Sequence, residues 1–154
     1  MVRIRKLPQQ GLRIEARMET PQRVLARAGS RSLRLDMPEL LGGSNRGMMP
    51  LEALLAAYAG SLNVVGNFVA KTMDFQVRGL EFTISGLLDP RGMYGLKTVR
   101  QPLRTLHVEA RVTTGESQRR LRRLQKELLE RCPVHTLLKN AGIRIRHAWT
   151  VVAP

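Results

Sequence analysis

The amino-acid sequence predicts an α+β domain, with helices on one side of antiparallel sheet. Three observations carry the prediction. Pro50–Lys71 reads as one long apolar helix, and Leu12–Asp36 holds three short alternating segments separated by turn residues. After Lys71 come two longer alternating segments, a basic helix with a broken end, and a last alternating segment. Strands grouped in runs, with helices set apart from them, are the α+β arrangement rather than regular strand–helix alternation.

Residues 1–10 read as a basic lead-in with an edge strand over Val2–Lys6, and the whole of 1–154 reads as one domain. Leu12–Met18 alternates apolar with polar, as a half-buried strand should. Glu19–Gln22 reads as a turn, Arg23–Ala28 as a second strand, Gly29-Ser30 as a turn and Arg31–Asp36 as a third strand. Short turns between three such segments make an antiparallel meander. Met37–Met49, with Pro38 and three glycines, is a loop that delivers the chain to the central helix.

In the helix, Leu51, Leu54, Leu55, Tyr58, Leu62, Val65, Phe68 and Val69 recur at three- and four-residue steps. Pro50 suits its first turn, where a missing N–H has no helical partner. Ala56, Ala57, Ala59 and Gly60 leave little polar surface, so other elements are expected to bury it on most sides. Two subunits wrapped around paired central helices would supply that cover.

Phe75–Leu88 alternates but is broken by Gly79 and Gly86, which suggests a long strand with bends or bulges. Asp89–Pro102 reads as turn and irregular loop, and Leu103–Thr113 as a strand. A second, broken helix spans 116–140. Leu121, Leu124, Leu128 and Leu129 mark its buried side, and Pro133 interrupts it. Gly142 ends it, and Ile143–Val152 closes the chain as a strand with Ile143, Ile145, His147 and Trp149 on one face.

At 154 residues the chain can bury a moderate core alone. No apolar run reads as long and uninterrupted enough to cross a bilayer, since the central helix carries Glu52, Asn63 and Asn67. The basic start has no apolar segment behind it, so it does not read as a signal peptide. The single cysteine, Cys132, excludes an internal disulfide and points to the reducing cytoplasm. The net charge is +14, and with only five lysines among 26 basic residues it is carried mostly by arginine. Such a field attracts acidic partners, nucleic acid included. No nucleic-acid module accompanies it, and aromatics for stacking are only 4%.

Pro50–Ser61 (PLEALLAAYAGS), followed some seventy residues later by Arg131-Cys132-Pro133-Val134, resembles the OsmC/Ohr family of osmotically induced and organic-hydroperoxide-resistance proteins. The element order and the Leu87-Leu88-Asp89-Pro90-Arg91-Gly92 turn agree with it, and the resemblance covers about residues 12–152. It implies an intertwined homodimer with sheets around central helices, and active sites at the subunit interface. It also implies an oxidative-stress peroxidase with two cysteines, one on the central helix to attack the peroxide and one later in the chain to resolve the sulfenate. Cys132 matches the resolving position, and Ser61 stands where the attacking cysteine would be. A serine oxygen has no counterpart to sulfur's oxidation to sulfenic acid. The acid expected after the proline is Leu51, with Glu52 one place on; the arginine expected in the first hairpin is absent from Glu19–Gln22, although Arg17 and Arg23 flank it. The resemblance therefore implies a degenerate or one-cysteine peroxidase recycled by an external thiol, or a non-catalytic relative that binds a small apolar or acidic ligand.

Several residues keep two readings. Cys132 is a peroxidatic thiol favoured by the helix that follows it, or a buried inert one. Ser61 packs simply, or faces His135 as a Ser–His pair with no third orienting residue. Cys132-Pro-Val-His135 has the spacing of half a metal site; the other half is missing, so neither metal nor cofactor is expected. Arg119–Arg123 is a solvated helix face or an anion site. Arg46, in the glycine loop before the central helix, and Tyr58, on that helix, are the further binding candidates, with Glu52 a candidate acid.

Overall fold

The computed structural model describes residues 8–154, so the strand expected over Val2–Lys6 lies outside the described residues. The chain forms β1 (Glu15–Thr20), β2 (Arg23–Ala28), β3 (Arg31–Asp36), α1 (Pro50–Thr72), β4 (Gly79–Leu88), β5 (Leu103–Thr113), α2 (Gln118–Arg131), α3 (Pro133–Asn140) and β6 (Arg144–Val152). Contacts group these into two compact units, Met1–Ala53 and Leu54–Pro154.

The first unit is the antiparallel meander β1-β2-β3. Strand β1 runs into the expected turn as far as Thr20, and its register slips between Met18 and Thr20. Glu19 is the residue left over at that bulge. Its carboxylate accepts from Arg34 Nε at 2.8 Å and Arg23 Nε at 3.1 Å. These contacts, Arg34 foremost, hold it below the usual carboxylate pKa. The turn shrinks to Pro21-Gln22. Buried Asp36 organises the glycine-rich loop that follows, accepting from the N–H groups of Met37 (2.9 Å) and Arg46 (3.0 Å) and from Ser44 Oγ (2.7 Å). Burial pushes its pKa up, but the Ser44 hydroxyl and these N–H groups bring it below the ordinary value.

In the second unit β4 and β5 form a long antiparallel hairpin, with a register shift between Gly86 and Leu88 where a bulge was expected. The strand starts at Gly79 rather than Phe75, because Phe75 N–H donates to Ala70 O at 2.9 Å and so closes the end of α1. β6 lies beside β5 in parallel, so this sheet is mixed rather than antiparallel throughout. The reason is connectivity. α2 and α3 form a crossover that returns the chain to the end at which β5 began. Val108, Ala110 and Val112 of β5 and Trp149 of β6 point to one face, where they meet Leu121, Leu124 and Leu128 of α2 and Leu62 and Val69 of α1. Ser117 caps α2 by accepting from Arg120 N–H.

Only one stripe of α1 is buried: Tyr58, Leu62, Gly66, Val69 and Ala70. Val64 and Phe68 are more than half exposed. Within one chain these elements enclose one face of the cylinder and leave an apolar face outside, the face for which the sequence reading expects a second subunit. By length and composition α1 is also long and apolar enough to cross a membrane, against the sequence expectation. Glu52 sits in its first turn, and Asn67 satisfies its amide on Asn63, 2.8 Å to the carbonyl, so neither interrupts the apolar run. The core helix of a globular fold meets the same criterion, and the buried stripe is that of a core helix.

Candidate functional site

Two rungs join α1 to the start of α3. Tyr58 and Ser61 lie three residues apart on α1, and Cys132 and His135 three apart at the α3 N-terminus, so each pair shares one helical face. Ser61 Oγ lies 3.1 Å from Cys132 Sγ, and Tyr58 Oη lies 2.6 Å from His135 Nδ1. Cys132 is fully buried and is the N-cap residue of α3, its sulfur accepting from His135 N–H at 3.5 Å. Pro133 occupies the first turn of α3, where it needs no hydrogen-bond partner. Sγ thus lies at the positive end of a helix.

The second rung continues into β6. Tyr58 Oη is 3.3 Å from His147 Nε2, and Trp149 Nε1 donates to His147 Nδ1 at 3.2 Å. An indole N–H can only donate, so Nδ1 of His147 is bare and its Nε2 carries the hydrogen. That hydrogen points to Tyr58 Oη, and the phenol hydrogen goes to His135 Nδ1. His135 is then left with Nε2–H as a donor. The chain Trp149–His147–Tyr58–His135 runs one way, each group donating to the next.

The surroundings keep every member neutral. Burial lowers the His147 pKa from 6.5 to about 4, helped by neighbouring His135. Burial also lowers the His135 pKa, with Lys139 adding to it, and raises the Tyr58 pKa, with Cys132 adding to it. Both imidazoles are therefore uncharged at neutral pH.

The structure brings together Ser61, Cys132, Tyr58 and His135 from the sequence candidates. It corrects the Ser61–His135 pair: Ser61 faces the cysteine sulfur, and the hydrogen bond of His135 goes to Tyr58. His147 and Trp149, read from the sequence as plain sheet residues, belong to the same cluster. The signal for them was their phase, because a His and a Trp on the buried side of the last strand had to meet whatever packed there. Arg46 and Glu52 lie in the first unit. Arg46 has an exposed side chain and gives its backbone N–H to Asp36. Glu52 accepts from Met49 N–H at 2.8 Å, a contact that closes the first turn of α1. His107 is exposed on β5, and among the described residues no three His, Cys, Asp or Glu side chains are gathered closely enough to hold a metal ion.

Comparison with known proteins gives one consistent result. The family described as OsmC-like protein matches residues 42–148. An OsmC-like protein from Mycoplasma pneumoniae has a similar structure, with a TM-score of 0.80 at 20% identity, covering 94% of this chain and 99% of that one. An organic hydroperoxide resistance protein OsmC from Legionella pneumophila superposes with a TM-score of 0.73 at 19% identity, over 94% of this chain and 100% of that one. The organic hydroperoxide resistance protein OhrB of Bacillus subtilis does so with a TM-score of 0.62 at 17% identity, over 92% and 98%. No curated protein sequence matches the chain. At these identities the structural likeness speaks for the fold.

Proposed function

Because the chain belongs to the family of OsmC-like proteins, we propose that it reduces small organic hydroperoxides with Cys132 as its only thiol. The observation that carries this reading is the setting of Cys132 Sγ, at the α3 N-terminus and 3.1 Å from Ser61 Oγ. In the reaction the Cys132 thiolate attacks the terminal peroxide oxygen and the O–O bond breaks. The alkoxide that leaves takes up a proton, giving an alcohol and a sulfenic acid on Cys132. Two equivalents of an external thiol then return Cys132 to the thiol, with water and the external disulfide as products. His135 Nε2–H, the donor left over by the hydrogen-bond chain, supplies a hydrogen bond to the leaving oxygen. The chemistry requires a reducing compartment, which suits the cytoplasm.

The test is the intact mass of the reduced protein after one equivalent of cumene hydroperoxide, with dimedone to trap sulfenic acid. A rapid adduct confined to Cys132, absent in Cys132→Ala, is the expected result. A thiol that stays unreactive until the protein is denatured would leave the other reading, a non-catalytic protein that binds a small ligand. That reading draws on the complete burial of the sulfur.

We also propose that the chain works as a homodimer. The exposed Val64 and Phe68 of α1 support this, since an apolar helix face of that kind needs a partner surface. Light scattering is expected to give twice the chain mass of 17.3 kDa, and Val64→Glu/Phe68→Glu to give a single chain. A monomeric wild type would overturn the proposal.

A further inference from the structure

The connection between β4 and β5 is a closed loop with a charge that nothing in the thiol site explains. Asp89 N–H donates to Pro102 O at 2.8 Å, so the two ends of the loop meet. Inside it, Leu96 N–H donates to Arg91 O at 3.0 Å and Gly95 N–H to Gly92 O at 3.1 Å. Gly92 backs closely onto Val99, since a Cβ added there would lie 3.0 Å from Val99 Cβ. A surface loop of this length with joined ends has the outline of an Ω-loop, a form that frequently carries function.

The loop borders a cleft. One cavity of about 540 Å³ lies between it and the bulged end of β4, and a neighbouring one of about 630 Å³ shares Asp89, Arg91, Gln101 and Arg104 with it. Together they are lined by four cations, Arg91, Lys97, Arg100 and Arg104, and by one acid, Asp89. Asp89 is committed to Arg91, whose Nε and Nη2 donate to its two oxygens at 2.8 and 2.6 Å. Arg91, with smaller help from Lys97, brings the Asp89 pKa down to about 2, so this pair stays charged. Among the described residues, Lys97, Arg100 and Arg104 have no ion pair. Like charges gathered in one cleft repel unless an anion lies between them. Two of the three are arginines, whose planar forks match the oxygens of a phosphate.

We propose that this cleft binds a small ligand bearing several phosphate charges, in addition to any chemistry at Cys132. A monoanion would leave most of the cleft charge uncompensated. The cleft volumes are those of small-molecule sites.

The experiment is calorimetric titration of the full chain with tripolyphosphate at about 0.1 M salt, where the screening length is roughly 10 Å. Arg100→Ala/Arg104→Ala is expected to weaken binding about tenfold or more, because it removes two charge-assisted contacts. Arg100→Gln/Arg104→Gln, which keeps side chains of similar length, should behave alike. Arg122→Ala/Arg123→Ala removes the same charge from the exposed face of α2 and is expected to change binding less than about twofold, since distant surface charges are screened. No binding by the wild type, or equal weakening by the cleft and α2 variants, would overturn the proposal. So would retention of a single-stranded oligonucleotide through Arg100 and Arg104 with no affinity for tripolyphosphate, which would make the loop a nucleic-acid contact.

Discussion

Ser61→Cys is expected to turn a one-thiol protein into a two-thiol one. The present Ser61 Oγ lies 3.1 Å from Cys132 Sγ, and a disulfide needs its sulfurs about 2 Å apart. A second sulfur at position 61 therefore needs to close a gap of only about 1 Å. One equivalent of organic hydroperoxide should oxidise both thiols of the variant to a disulfide, read as the loss of two hydrogens and of all free thiol. Water is the second product of that step, after the alcohol. Turnover with a dithiol reductant should rise about 100-fold over the wild type, because the resolving thiol is held in place rather than met by diffusion. A variant that oxidises no faster would separate the two rungs from peroxide chemistry, and one that stops at sulfenic acid without a disulfide would show that the two sulfurs do not meet. Tyr58 and His135 stay in place in this variant, so their chain is not disturbed by the test.

Leu128→Ala is expected to lose about 3–4 kcal/mol of stability, the range for a fully buried leucine whose surroundings cannot collapse. The site is chosen because α1 meets α2 there through a glycine. A Cβ on Gly66 would lie 2.9 Å from Leu128 Cδ1 and 3.7 Å from Leu80 Cδ2. Gly66→Ala alone gains about 1 kcal/mol of helix propensity and loses about 1–3 to crowding, for a small net loss. In the Leu128→Ala background the same methyl enters the space that the leucine vacated. The two changes should therefore couple, with the double variant about 1–2 kcal/mol more stable than the sum of the single losses. Denaturant unfolding of the four proteins measures it. Strict additivity would mean that α1 and α2 adjust independently, against so close an approach of Leu128 to Gly66.

Much of the fold was legible because local pattern and tertiary demand agree. β2, β3 and β5 begin and end where alternation begins and ends, and α1 starts at the proline that suits its first turn. Ser117 and Pro133 mark helix starts through backbone groups that must be capped or absent there. β1 ends later than its pattern suggests because Glu19 looks like a turn residue until Arg34, on another strand, is there to pair with it. The parallel β6 was out of reach for a related reason. An alternating segment shows which face it buries but not the direction in which it pairs.

Residue identity and order were enough to say which groups could do chemistry: one thiol, a serine where a second thiol would stand, and a histidine one helical turn after the thiol. Their partners came from packing alone. It set Ser61 on the sulfur and Tyr58 on His135, and it added His147 and Trp149 from a strand whose pairing the pattern leaves open. The physical reason is that a hydrogen bond needs a donor and an acceptor within about 3 Å. Residues far apart in the chain reach that distance only when the packing of α1, α3 and β6 brings them together.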